Sequence, residues 1–172
     1  MEEHKGVDFL GLHAENKGSF FVPFPVRRVF PLYGPVGEAK VGSWVGASMV
    51  VSQPCFGGDL CARKGWVFIT GENSEKKKLW YLQKADFFQH EISYTVYWPD
   101  LMVYRIDVGA ASSVEPVSKR NGTTSTVTYD FVGTSAEGNR EVERRASRPK
   151  YFVEEMEHWR RQIQAYLEAS DW

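Results

Sequence analysis

Cysteine is nearly absent from this chain: Cys55 and Cys61 are its only two, set in a glycine-containing loop among 172 residues. Their spacing is too wide for a redox dithiol, no second pair completes a zinc site, and one pair makes no disulfide framework. They read as buried or incidental thiols of a reducing compartment. An excess of charge is also lacking, since 21 Lys and Arg stand against 22 Asp and Glu for a formal net charge of -1. No overall positive field draws the protein to nucleic acid or anionic lipid. No apolar run is long enough to span a bilayer, and residues 1–17 are polar without the apolar core of a signal peptide, so the expectation is an N-terminal leader, cytoplasmic residence and no integral membrane association.

Enzyme signatures are missing as well. There is no nucleophile elbow, no phosphate loop, no dinucleotide fingerprint and no His-Glu-x-x-His. The histidines, His4, His13, His90 and His158, fall on different elements without ligating spacing, so neither a metal nor a cofactor is expected. Gly57-Gly58 with Lys64 reads as a flexible loop at the edge of the domain rather than a phosphate cradle. Asn121-Gly122-Thr123 matches a glycosylation acceptor, but without an export signal it reads as a turn.

What the chain does have is aromatic residues, 15% of the total with six tryptophans, and a hydrophobic share of 42% that suits one domain over residues 18–172. Ser19–Val22 fits a first strand. Val26, Val29, Phe30 and Leu32 after Pro25 suit a short helix with Arg27 and Arg28 on its wet side, and Val36–Val41 suits a second. Further strands are predicted at Trp44–Ser52, Trp66–Thr70, Leu79–Ala85, Glu91–Tyr97, Leu101–Val108 with an extension toward Val117, and Thr124–Val132, with turns at Asn73-Ser74, Pro99-Asp100 and Asn121-Gly122. Spacing this close leaves no room for crossover helices, so the sheet is antiparallel.

Alternation assigns the faces. Ile92, Tyr94, Val96 and Trp98 point inward, as do Met102, Tyr104, Ile106 and Val108, and Val127, Tyr129 and Phe131; Glu91, Ser93, Arg105, Asp107 and Asp130 point to water. For Trp80 and Leu82 against Leu79 and Tyr81, the face stays open. Thr134-Ser135-Ala136-Glu137 offers a helix start. Beyond it Phe152, Met156, Trp159, Ile163 and Tyr166 recur at alternating four- and three-residue steps, one apolar stripe that must be covered by the sheet. Pro149 either kinks one long helix or begins a second.

The order of these elements, with Val29-Phe30-Pro31-Leu32, Gly34-Pro35-Val36-Gly37-Glu38, Gly65-Trp66-Val67-Phe68-Ile69-Thr70, Val127-Thr128-Tyr129, Gly138-Asn139 and the series Phe152, Met156, Trp159, Ile163, Leu167, resembles the SRPBCC superfamily of START-like, Bet v 1-like and polyketide cyclase-like proteins, and within it a bacterial branch. The resemblance spans about Ser19 to Leu167, and it departs from the branch in having only Trp44 within Val41–Gly46 and in carrying the cysteine loop. It implies an α+β helix-grip fold, a curved seven-stranded antiparallel sheet wrapped around a long C-terminal helix with a hydrophobic cavity between them. The expected cavity walls are Trp66, Phe68, Trp80, Leu82, Tyr94, Met102, Tyr104, Tyr129, Phe152, Met156 and Trp159.

The expected function is binding of a small hydrophobic or aromatic molecule, lipid- or polyketide-like, without catalysis. Tyr94, Tyr104 and Tyr129 either pack the core or turn phenol groups toward a ligand, and the second case leaves open a cyclase- or dehydratase-type enzyme that would also need a buried ionisable group. A third reading is an interaction module or homodimer, prompted by Tyr97, Trp98 and Trp172 as exposed aromatics.

Overall fold

The computed structural model describes residues 9–42, 62–71 and 77–170. Among them the elements run β1 (His13–Val22), α1 (Val26–Val29), a 3-10 turn (Phe30–Tyr33), α2 (Pro35–Val41), β2 (Val67–Thr70), β3 (Lys78–Asp86), β4 (Glu91–Trp98), β5 (Met102–Val114), β6 (Asn121–Gly133), α3 (Ala136–Ala146) and α4 (Pro149–Ala169). All strand pairs are antiparallel in the order β1-β6-β5-β4-β3-β2, so the first strand closes onto the last. This is an α+β arrangement with six strands among the described residues; the strand predicted at Trp44–Ser52, the turn at Asn73-Ser74, Gly57-Gly58, Cys55, Cys61 and Trp172 lie outside them.

Period-two alternation places the inner face as read. Ile92, Tyr94, Val96, Met102, Tyr104, Ile106, Val108, Val127, Tyr129 and Phe131 are all buried. Trp80 and Leu82 join them, while Leu79 and Tyr81 are 42% and 41% exposed, which settles the face of β3. Trp98 is buried rather than exposed, because it continues the inner row of β4 and the Lys78 ammonium covers its ring at 4.3 Å. On the outer face Ser93 is buried too, since its hydroxyl is held by Asp107.

Two boundaries differ from the sequence reading, and a third that it left open is decided. β1 begins at His13, not Ser19, so the sheet takes in part of the polar segment placed in the leader; these residues pair with Thr128–Val132 through backbone bonds that hydrophobicity does not report. The β5–β6 reversal falls at Glu115–Arg120, with Lys119 at φ 58°, and Asn121-Gly122 already belongs to β6. Gly122 sits there because a Cβ would meet the Phe21 ring. The last helix is split rather than kinked: α3 ends at Ala146 and α4 restarts with Pro149 in its first turn.

Side chains fasten these helices to the sheet. Ser135 caps α3 by accepting from the Gly138 amide at 3.0 Å and donates to the Asp100 carbonyl at 2.5 Å. Gly138 has no room for a Cβ against the Leu101 carbonyl, and the Asn139 amide clamps Leu12 and Leu10 at 2.7 and 3.0 Å, which gives the Gly-Asn pair a structural reason. Arg28 is not on a wet side: its guanidinium donates to the carbonyls of Leu167 and Ser170 and so ties α1 to the C-terminus of α4. Phe152, Met156, Ile163 and Leu167 are buried along α4, with Trp159 and Tyr166 half-buried beside them. Gly18 of β1 lets this stripe approach, since a Cβ there would stand 3.0 Å from Phe152 Cε1 and 3.3 Å from Met156 Cγ.

Candidate functional site

The inner face carries an unbroken run of rings. Phe68 stacks on Trp80 at 5.5 Å, Trp80 meets Tyr94 and Tyr104 edge-on at 5.9 and 6.3 Å, Tyr104 stacks on Tyr129 at 6.3 Å, and Tyr129 meets Phe152 of α4 at 5.5 Å. Such contacts combine large buried area with edge-to-face attraction. The sequence-predicted residues Trp66, Phe68, Trp80, Leu82, Tyr94, Met102, Tyr104, Tyr129, Phe152 and Met156 are all buried in one core cluster, and half-buried Trp159 packs against it.

Polar groups punctuate this apolar interior in two sets. The first is built by the irregular stretch after β1. Tyr33, at the end of the 3-10 turn, donates its hydroxyl to Ser125 Oγ of β6 at 2.5 Å and accepts at its carbonyl from the Tyr94 hydroxyl at 2.7 Å. One turn of helix later stands Glu38, only 4% exposed, with Oε2 lacking any hydrogen-bond partner among the described residues. Glu38 reaches this position because Gly37 permits it: a Cβ at Gly37 would fall within 2.5 Å of Leu32 Cα and closer to the Pro31 carbonyl, so only glycine lets α2 fold this tightly onto the turn before it. Trp66 Nε1 is a second buried donor without a partner among those residues.

The second set lies toward the start of α4. The Tyr129 hydroxyl donates to Glu155 Oε1 at 3.3 Å, Arg145 stacks over the Phe131 ring at 5.1 Å, and Lys78 stands 6.0 Å from the Tyr104 ring. Beside this set, a cleft of about 290 Å³ opens between the α3–α4 junction and strands β1 and β6, lined by both rings and guanidinium groups.

Burial sets the acid-base character of the interior. It pushes the Glu38 carboxyl well above the usual carboxylate range, so the neutral acid is favoured there. Burial likewise raises the phenols of Tyr33, Tyr94, Tyr104 and Tyr129, with Glu38 adding to the effect at Tyr33, Tyr94 and Tyr129, and Glu155 adding to it at Tyr104 and Tyr129. These tyrosines are hydrogen-bond donors that hold their protons. Glu155 sits on the exposed flank of α4, yet crowding raises its carboxyl against the pull of Arg145, the Tyr129 hydroxyl, Lys78 and His158. The hydroxyl protons of Tyr33, Tyr94 and Tyr129 are committed to Ser125, the Tyr33 carbonyl and Glu155, so among the described residues the groups open to an oxygen brought there are the neutral Glu38 carboxyl and Trp66 Nε1.

Sequence reasoning missed Tyr33, Glu38, Ser125 and Glu155. Tyr33 and Glu38 lie in short helical turns where no period assigns a face, although Gly37 immediately before an acidic residue was the available signal. Ser125 is a small polar residue on the inner row of β6. The outer-face charges are structural: Lys84 pairs with Glu91, and Arg105 with Asp107 at 2.9 Å. Among the described residues no three His, Cys, Asp or Glu side chains converge as metal ligands would, and no helix is long and apolar enough to cross a membrane.

No family model matches the sequence, and no curated protein matches it. Solved structures do. Ara h 8.0201 is similar with a TM-score of 0.61 and 12% identity, over 92% of this chain and 100% of that one. Norcoclaurine synthase from Thalictrum flavum, solved in complex with dopamine and hydroxybenzaldehyde, is similar with a TM-score of 0.60 and 10% identity, over 94% of this chain and 91% of that one. A truncated form of that synthase gives 0.61 and 10% over 96% and 99% of the two chains. At such identities the likeness establishes the fold alone: the chain has a Bet v 1-like helix-grip fold.

Proposed function

We propose that this helix-grip protein binds a small, mostly apolar or aromatic molecule between the inner face of its sheet and α4. The proposed walls are Trp66, Phe68, Trp80, Leu82, Tyr94, Met102, Tyr104, Tyr129, Phe152, Met156 and Trp159, all in or against the one core cluster. The observation that carries the reading is Glu38, a buried carboxyl whose Oε2 has no protein partner among the described residues. A buried polar atom left unpaired costs about 1–3 kcal/mol, and a ligand oxygen or amine that accepts from or donates to it removes that cost. Apolar walls with a few polar anchors are the usual make-up of a small-molecule site.

Native mass spectrometry of the purified protein tests this. A defined mass increment that is lost under denaturing conditions, or that forms on incubation with a neutral naphthalene derivative, supports the reading. A bare polypeptide mass in both cases overturns it.

A second reading is supported by the same carboxyl. A cyclase- or dehydratase-type enzyme needs an ionisable group inside the walls, and Glu38 meets that requirement with tyrosine hydroxyls near it. In that case Glu38→Gln abolishes turnover while leaving ligand affinity within a few-fold; equal turnover by both proteins would exclude Glu38 as the acid.

A further inference from the structure

The cleft at the α3–α4 junction has a chemistry unlike that of the interior beside it. Its walls bring together the guanidinium groups of Arg144, Arg145 and Arg148 with the Asn16 amide and the rings of Phe131 and Phe152. Phe131 and Phe152 are also members of the buried core cluster, so the cleft and the interior share a wall. The charges are unevenly neutralised. Glu141 accepts from Arg144 at 2.6 and 2.7 Å and from Arg145 at 2.8 Å, so one carboxylate serves two guanidiniums. Arg148 stands 5.7 Å from the Tyr151 ring and forms no ion pair among the described residues. Three cations therefore face two carboxyls, Glu141 and Glu155, and the cleft is net positive whichever form Glu155 takes.

The split of the last helix makes this arrangement. Because Pro149 ends the run of α3 and restarts the chain as α4, Arg144 and Arg145 in the last turn of one helix and Arg148 at the start of the next converge on the same opening. The geometry points to an oxyanion seat: the cleft takes the carboxylate or phosphate head of an amphipathic ligand at Arg148 and its neighbours, with the apolar body passing between Phe131 and Phe152 toward the interior. This rests on the reading above that the interior accepts an apolar body. A guanidinium fork can pair with two oxygens of either head, and the aromatic pair supplies the surface for the adjoining carbons.

The test uses three ligands with one body: 4-phenylbutanoate, 4-phenylbutyl phosphate and 4-phenylbutanol, each titrated by tryptophan fluorescence. The inference expects the two anions to bind about tenfold more tightly than the alcohol at low salt, a preference that 0.5 M NaCl reduces. Of the two heads, the tighter one identifies the natural class. Arg148→Gln should remove most of that preference without weakening the alcohol. Equal affinity of all three ligands, or an Arg148→Gln variant that weakens all three alike, overturns the oxyanion seat and leaves the binding reading standing. Failure of all three to bind overturns both.

Discussion

A carboxyl buried as deeply as that of Glu38 makes folding depend on pH. Its folded pKa lies well above the ordinary value of 4.5, so the folded state binds its proton more tightly than the unfolded chain does. The stability this contributes is fully present below pH 4.5 and is lost progressively as pH rises through the folded pKa. Glu38→Gln cannot ionise and should escape that loss. Thermal melts from pH 4.5 upward should show the wild-type midpoint falling relative to the variant; parallel curves would mean that Glu38 is solvated. At this scale the strand residues were legible and the turn residues were not. Tyr94, Tyr104 and Tyr129 sit on strands, where a period of two fixes the face once one neighbour is placed. Tyr33 and Glu38 sit where a 3-10 turn passes into a seven-residue helix, and such short pieces have no period to read.

Between elements, the positions that matter most are those where a backbone approaches another without space for a side chain. Gly37 is one. Gly37→Ala would drive a Cβ into the backbone of Pro31 and Leu32, which cannot yield as a flexible side chain could, at a cost of about 1–3 kcal/mol. Because that shift carries Glu38 with it, urea melts should show both the loss of stability and a flatter pH dependence than wild type. Retained stability and an unchanged pH slope would show that α2 is free to move. The split at Pro149 belongs here as well. The sequence offered a kink and a restart equally, since proline is tolerated in a first turn; what decides is that Ser147 closes α3 in helical geometry and Arg148 then leaves it, at φ -127° and ψ 62°. The extra residues of β1 were hidden for a different reason. An edge strand held by backbone bonds to β6 needs little hydrophobic alternation, so His13–Gly18 reads as a polar tail.

Across the whole molecule, the order of elements reported the fold better than any single motif did, because meander spacing and the α4 stripe jointly require a sheet closed by a helix. Ligand identity did not follow, since the inner rings serve packing and binding alike. If the interior does take a ligand, saturation stabilises the folded state: at a free concentration one hundred times Kd the gain is about 2.7 kcal/mol, or a rise in Tm of about 5–10 °C for a chain of this length. Differential scanning fluorimetry against apolar phenols and naphthols reads that shift.

The most direct test of location uses the methionine methyls, since Met102 and Met156 are both buried in the core cluster. Protein labelled with 13C at the methionine methyls, saturated with N-phenyl-1-naphthylamine and followed by NMR, should show intermolecular nuclear Overhauser effects from the ligand rings to the Met156 and Met102 methyls. A ligand that binds but contacts neither methyl would contradict the central claim that the space between α4 and the sheet is the binding site.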